Sequence, residues 1–221
     1  MYGTRSPRMR TRRLFGRTDR GSRREIMLPL CAWRFDPTGE THVGRRIDEN
    51  YKMIEIRKEE PGDQDAVRLI NLAAFENGPE AAIVDKLRAS CKDYLAFVAV
   101  EDDRIVGHIL FTPVTIDDCD TVGMGLAPMA VLPSCQRKGI GSQLVRHGLQ
   151  SLRQSGCPFV IVIGHPEYYP RFGFEPASKY QFVSQWEGVP DEAFMIVVFD
   201  GDALPRAGGI ARYRDEFDEA M

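Results

Sequence analysis

Gln136-Arg137-Lys138-Gly139-Ile140-Gly141 sets two glycines one residue apart, directly behind two cations. Neither glycine carries a Cβ, so the backbone here can come close to a bound group. The stretch lies between an apolar run that reads as a strand, residues 126–132, and a helical pattern that begins at Ile140. N–H groups that open a helix lack intrahelical partners and add to the positive end of the helix dipole. Such a place favours an anion, a phosphate or pyrophosphate above all. Arg137 and Lys138 bring full charge to it, and Ser142 follows in the first helical turn.

Two other phosphate cradles do not fit. No G-x-x-x-x-G-K-[S/T] string occurs, and a dinucleotide fingerprint would need a third glycine where Leu144 stands. A tight strand-to-helix turn without a ligand would use the same six residues, so the elements around them must decide.

Those elements read as follows. Residues 53–57 alternate as a strand, and Pro61-Gly62-Asp63 ends it, with Asp63 placed as an N-cap. A first helix carries Val67, Ile70, Leu72, Ala73 and Ala74, and Asn77-Gly78-Pro79 breaks it. A second helix from about Glu80 carries Ile83, Val84 and Leu87. Strands over 95–100, 105–114 and 122–132 form a meander, and Pro128 inside the last marks a bulge or an edge. After the glycine stretch, Ile140, Leu144, Val145, Leu149 and Leu152 form one helical face. Residues 159–163 are continuously apolar, as in a strand buried on both faces. A short helix over 167–171, a short strand from Gly173 and a last strand over 194–199 complete the pattern. Residues 212–221 are charged and expected to fray.

Charge divides the chain. Residues 1–52 carry 13 Lys/Arg against 6 Asp/Glu, whereas residues 53–221 carry 16 against 26. The N-terminal part reads as a basic, disordered extension, or as sequence ahead of a natural start at Met53. An Arg-rich targeting peptide fits Asp19 and Glu25 poorly, and a nucleic-acid arm is the remaining alternative. The acidic body argues against a nucleic-acid-binding domain and suits a cationic small substrate. Five cysteines form no C-x-x-C pair and no secretory signal precedes them, so reduced thiols in the cytoplasm are expected. No apolar run reaches membrane-spanning length, which excludes a helical membrane protein. His165 and Glu167 are too few for a metal site.

The element order, with Gln136-Arg137-Lys138-Gly139-Ile140-Gly141 after a strand and Tyr169-Pro170-Arg171-Phe172-Gly173-Phe174 about thirty residues on, resembles the GCN5-related N-acetyltransferase (GNAT) family over residues 53–200. The stretch Gly164-His165-Pro166-Glu167-Tyr168-Tyr169-Pro170-Arg171-Phe172-Gly173-Phe174 is similar in particular to the YhbS-like subgroup. The resemblance implies an α/β GNAT fold for residues 53–221, with a mixed sheet of six to seven strands and helices on both faces. It implies transfer of an acetyl group from acetyl-CoA directly to a primary amine, with no metal. The acceptor, whether small molecule, peptide N-terminus or lysine, stays open, as does pairing into a homodimer. A non-catalytic acyl-CoA sensor acting through a protein partner is the alternative.

By the same resemblance, Gln136, Arg137, Lys138, Gly139, Ile140, Gly141 and Ser142 hold the pyrophosphate. Met129, Ala130 and Val131 lie along the pantetheine arm and the thioester, on a strand parted from its neighbour. Tyr169 corresponds to the general acid. A phenol with a reference pKa of about 10 stays protonated at neutral pH and can donate to a leaving thiolate. The adjacent Tyr168 is its rival. Glu80 and His108 are the candidates on the amine side, with Glu76 a further carboxylate. Cys135 precedes a helix start, where a thiol can be activated, but direct transfer leaves it a bystander.

Overall fold

The computed structural model describes residues 53–218 apart from Glu76, Asn77 and Asp118. The expectations for residues 1–52, for Glu76 and for the last three residues lie outside the described residues. Strand β1 (Ile54–Lys58) leads through a 3-10 turn at Pro61–Asp63 into α1 (Gln64–Ala74). Asp63 stands at the N-cap position of α1 but makes no side-chain cap bond. Its carboxylate takes two bonds from Arg57, at 2.6 and 2.9 Å, and one from the Glu60 N–H at 2.8 Å. A guanidinium is a stronger donor than a neutral amide, so Asp63 ties the helix start to β1 instead of capping it.

Helix α2 (Glu80–Ser90) is followed by β2 (Leu95–Glu101), β3 (Arg104–Ile116) and β4 (Val122–Val131), an antiparallel meander. Helix α3 (Ile140–Gln154) then crosses to β5 (Phe159–Ile163), which lies parallel to β4. The short β6 (Glu175–Pro176) and β7 (Phe182–Ser184) precede β8 (Phe194–Val198) and β9 (Gly209–Arg212). The strands run in the order β1-β2-β3-β4-β5-β8-β6, with β9 pairing β3 and β7 at one side. Seven strands on one path match the expected sheet, and β7 and β9 add to it.

Two cores lie on opposite faces of that sheet. Val67, Ile83, Val84 and Leu87 of α1 and α2 pack with Val98, Leu110, Val114, Ile161 and Ile163. Ile140, Leu144, Val145 and Leu152 of α3 pack with Phe97, Ile109, Phe111, Met129, Val160 and Val162. Every residue of β5 is buried, alternate ones on alternate faces, as its unbroken apolar run requires. Gly148 sits inside α3, where glycine costs about 1 kcal/mol against alanine. The Phe111 ring fills the space its Cβ would need, so the helix lies close on β3.

Three expectations change. Ala73 is exposed and Leu72 only half-buried, while polar Asn71 is the inward residue of α1 beside Val67 and Ile70. The short strand starts at Glu175, not Gly173, because Gly173 (φ 92) closes the preceding turn. The C-terminal segment does not fray from Arg212. Strand β9 pairs Arg212 with Thr115, and Tyr213 and Phe217 are buried in the α1–α2-side core. Two inward aromatics in a charged stretch show no readable period, yet burying Phe217 alone contributes about 1.5–3 kcal/mol.

Candidate active site

The sheet opens between β4 and β5. Only Met124↔Val160 and Gly125↔Ile161 pair across them. Beyond Gly125, β4 continues to Val131 with no β5 partner. The register with β3 also shifts there: Ile109 faces Met129 but Phe111 faces Leu126, leaving Leu110 opposite both Ala127 and Pro128. Proline has no N–H for the ladder, so the bulge falls where β4 turns away.

The register decides which backbone groups face the opening. Leu132 N–H bonds to the Val106 carbonyl at 2.9 Å, and Gly107↔Val131 is the next pair inward. Groups alternate in an antiparallel ladder. Ala130 therefore turns its N–H and C=O to His108, whereas Met129 and Val131 turn theirs toward the gap. The Val131 carbonyl is already engaged, accepting from Gln136 Nε2 at 3.0 Å. Of the three residues expected here, Met129 and Val131 have backbone groups on the open edge and Ala130 does not.

At the top of the gap the chain makes the glycine turn. Pro133 ends β4 and opens a 3-10 turn at Pro133–Cys135. Arg137 (φ 62) and Gly139 (φ 85) then both adopt the left-handed conformation before Ile140 starts α3. Successive N–H groups in such a turn line an anion-binding concavity. Nothing stands within 4 Å of where a Gly139 Cβ would be, so that side of the turn is open space. Arg137 and Lys138 are exposed and have no ion-pair partner among the described residues. Gln136 holds the loop to the end of β4, which makes its side chain a brace. Cys135 is buried beneath the turn.

Tyr169 follows β5 at the start of a 3-10 turn, Tyr169–Phe172. Its side chain is fully buried at 0% exposure, in the same cluster as Met129 and Val162. Its ring meets Tyr168 and Phe174 edge-on, with centroids 5.1 and 5.4 Å apart. Tyr168 points elsewhere: its hydroxyl lies 3.5 Å from Ser142 Oγ, in the first turn of α3. The two neighbours thus separate, one into the α3-side core and one with its hydroxyl at the start of α3.

Glu80 opens α2 on the opposite face of the sheet. It is 2% exposed, and its Oε2 has no hydrogen-bond partner among the described residues. Burial pushes this carboxyl above its usual range, opposed only by its own backbone N–H. His108 is wholly buried on β3 and does not face open space. Its Nε2 lies 3.3 Å from Glu59 Oε2 and its Nδ1 3.3 Å from Asn71 Nδ2. A carboxylate accepts and an amide nitrogen donates, so Nε2 carries the proton. Arg88 pairs with the other oxygen of Glu59. His108 thus ties β3 to the β1–α1 connection and to α1.

The His108 cluster predicts a pH dependence. Burial, more than the opposing pull of Glu59, holds the imidazole below its usual pKa. An unfolded histidine takes up its proton near pH 6.5, and the folded one only at lower pH. The unfolded chain binds more protons as pH falls below about 6.5, so stability is lost in that direction. The melting temperature is expected to fall from pH 7 to pH 5. His108→Gln should lower it at pH 7 and flatten the slope. An unchanged slope in that variant would assign the acid sensitivity to other groups.

The sequence model of the Acetyltransferase (GNAT) domain matches residues 92–176, which include the glycine turn and Tyr169. YhbS of Escherichia coli K12, named an uncharacterized N-acetyltransferase, is 34% identical over 163 residues, 73% of this chain and 97% of YhbS. This chain belongs to the GNAT family. The GNAT domain also resembles the crystal structure of YhbS in complex with CoA, with a TM-score of 0.71 at 31% identity over 80% of this chain and 96% of that one. A GNAT family acetyltransferase from Brucella melitensis, in complex with acetyl-CoA, gives 0.64 at 36% identity over 76% and 100%.

In this GNAT domain the glycine turn directly follows the open edge of β4, and Tyr169 lies in the core cluster that includes Met129. It sets Glu80 on the other face and encloses His108. Sequence reasoning missed Asn71 and Glu59, the two partners that close His108 off. Asn71 could have been found as the one polar residue on the inward face of α1. It missed the bracing role of Gln136 because a side-chain bond five residues back leaves no pattern.

Proposed function

We propose that this enzyme acetylates a primary amine, drawing the acetyl group from acetyl-CoA by direct transfer. The observation that carries the reading is the parting of β4 and β5 beside a left-handed glycine turn at the start of α3. The turn takes the pyrophosphate, with Arg137 and Lys138 screening its charge. The pantetheine arm runs down the open edge, where Met129 and Val131 replace a missing strand with backbone bonds. The gap lets the thioester meet an amine arriving from the α1–α2 face.

The amine nitrogen attacks the thioester carbonyl once its ammonium proton has gone to Glu80, directly or through a water. An N–H of the open β4 edge holds the oxyanion as charge develops. The C–S bond breaks as Tyr169 gives its proton to the departing thiolate, and the second proton that the nitrogen sheds on becoming an amide restores the phenol. The four cysteines among the described residues are free thiols, which suits a reducing compartment, and we place the enzyme in the cytoplasm. The test is a CoA-release assay with acetyl-CoA and a panel of small amines, peptide N-termini and lysine peptides. Amine-dependent release is expected from one class. Binding of acetyl-CoA with no release from any class would instead fit a sensor.

Glu80 gives a sharper expectation. Its raised pKa means that folding binds a proton more tightly, so its charged form costs stability as pH rises above about 4.3. Glu80→Gln should raise the melting temperature at pH 8 by about 2–4 °C, with a smaller gain at pH 5. The same variant should lose about 10²–10⁴-fold in turnover. A stabilised variant with full activity would remove Glu80 from the mechanism.

A further inference from the structure

The sheet ends on β1, which pairs only with β2 among the described residues and leaves its other edge open. The other strands with a free edge are short: β6 has two residues, one a proline, and β7 has three. The ladder decides which groups the β1 edge presents. Lys58 faces Phe97, and one rung on the Glu59 N–H bonds to the Ala96 carbonyl at 3.0 Å. Groups alternate in an antiparallel ladder, so Arg57 and Glu55 turn their N–H and C=O to β2. Ile54, Ile56 and Lys58 turn theirs outward. The Lys58 carbonyl accepts one bond from Arg57 Nη1 at 3.1 Å and keeps a second lone pair. Such an edge is a template for another strand. Ile54 and Ile56 pack against the α3-side core yet are only half-buried, so apolar surface remains along it.

The residue order selects the strand that fits. Ile54-Glu55-Ile56-Arg57-Lys58 is complementary to itself when a second copy runs antiparallel with its own Ile56 opposite Ile56. That register makes Ile54, Ile56 and Lys58 the hydrogen-bonded positions, as their outward groups require. Glu55 then faces the partner's Arg57 in the closely spaced pairs, once on each side of the two-fold axis. Lys58 of the partner subunit arrives opposite Ile54, at the end of β1 where Glu55, Asp102 and Asp103 line a groove of about 510 Å³. The phase of the ladder excludes registers that set an outward residue against an inward one. Centring the pair on Arg57 or on Glu55 keeps the phase but sets like charges opposite each other. We infer that the free edge of β1 binds β1 of a second copy of this chain, joining two nine-stranded sheets into one. Strands β2 and β3 separate β1 from β4, so the opening beside β4 stays clear of the contact.

The test is sedimentation of the full chain over a concentration series. A dimer with a dissociation constant of about 10–100 μM is expected, since so short a strand pairing lies at the small end of interfaces. A chain that stays monomeric to about 1 mM overturns the inference, including the case in which residues 1–52 occupy the edge. Ile56→Pro removes an N–H that faces away from β2, and it should leave a monomer. Glu55→Arg changes an exposed side chain, sets arginine against the partner's Arg57 and should weaken the dimer about tenfold or more. Arg57→Glu should weaken it similarly, and it also gives up the bonds to Asp63, so its melting temperature falls. The two charge variants are then mixed. Each is repelled by its own copies, but a mixed pair sets arginine against glutamate at both positions, so the mixture should dimerise where neither variant does alone. A mixture that stays monomeric overturns the inference. A dimer that survives both Ile56→Pro and Glu55→Arg does so too, because it places the contact elsewhere. Those two variants decide the matter if Arg57→Glu does not fold.

Discussion

Acetyl-CoA is expected to raise the melting temperature of the wild-type enzyme by about 5–10 °C at a hundredfold excess over its dissociation constant. Gly141→Asp is expected to abolish that rise. Gly141 is the second residue of α3, in its first turn. Gly141 is buried, so an acidic side chain there gains from the helix dipole but loses solvation, and the free protein should melt below the wild-type temperature, the donor-dependent rise being the readout. The same carboxylate stands where the pyrophosphate must approach, and two negative groups cannot share the turn. A second variant protects the conclusion from any loss of folding. Lys138 is exposed and unpaired among the described residues, so Lys138→Glu leaves packing intact. It should weaken acetyl-CoA by about tenfold, and less so at high salt. An undiminished thermal shift in both variants would place the donor elsewhere.

Tyr169→Phe should lower turnover by about 10²–10⁴-fold with little change in acetyl-CoA affinity. The ring that packs on Tyr168 and Phe174 is retained, and only the hydroxyl is lost. A proton donated to a thiolate is used only as charge develops on sulfur, so the loss belongs in the maximal rate. Tyr168→Phe is the informative comparison. Its hydroxyl meets Ser142 at the glycine turn, so removing it should alter donor affinity slightly and maximal rate hardly at all. The reverse result, a dead Tyr168→Phe and a competent Tyr169→Phe, would move the acid to the neighbouring residue. Full activity in both would hand the proton to water or substrate while the reaction class stands.

These two experiments address features read in very different ways. The glycine turn was legible because it is local. Two glycines, two cations and a helix start lie within six residues, and backbone conformation there depends on near neighbours. Strand β5 was legible because a strand covered on both faces can hold no polar residue. The segment from Tyr169 to Phe174 was legible only through its resemblance to the family, and the left-handed φ by which Gly173 closes the turn, in place of the strand expected there, came from the structure.

What the sequence could not carry are facts with partners far along the chain. Met129 and Val131 differ from Ala130 only through the phase of a ladder whose other strand begins at Arg104. Asp63 has the right residue type and position for a cap, yet Arg57 outbids the helix N–H groups for its carboxylate. His108 has a suitable reference pKa, but burial and two partners from separate segments decide that it braces the fold. Arg146 and Arg171 are unremarked surface cations in one dimension. Only the packing of α3 against the turn after β5 places them both over the Phe172 ring. Local backbone chemistry is written in neighbouring residues. The direction of a side chain and the identity of its partner are set when distant segments exclude water together.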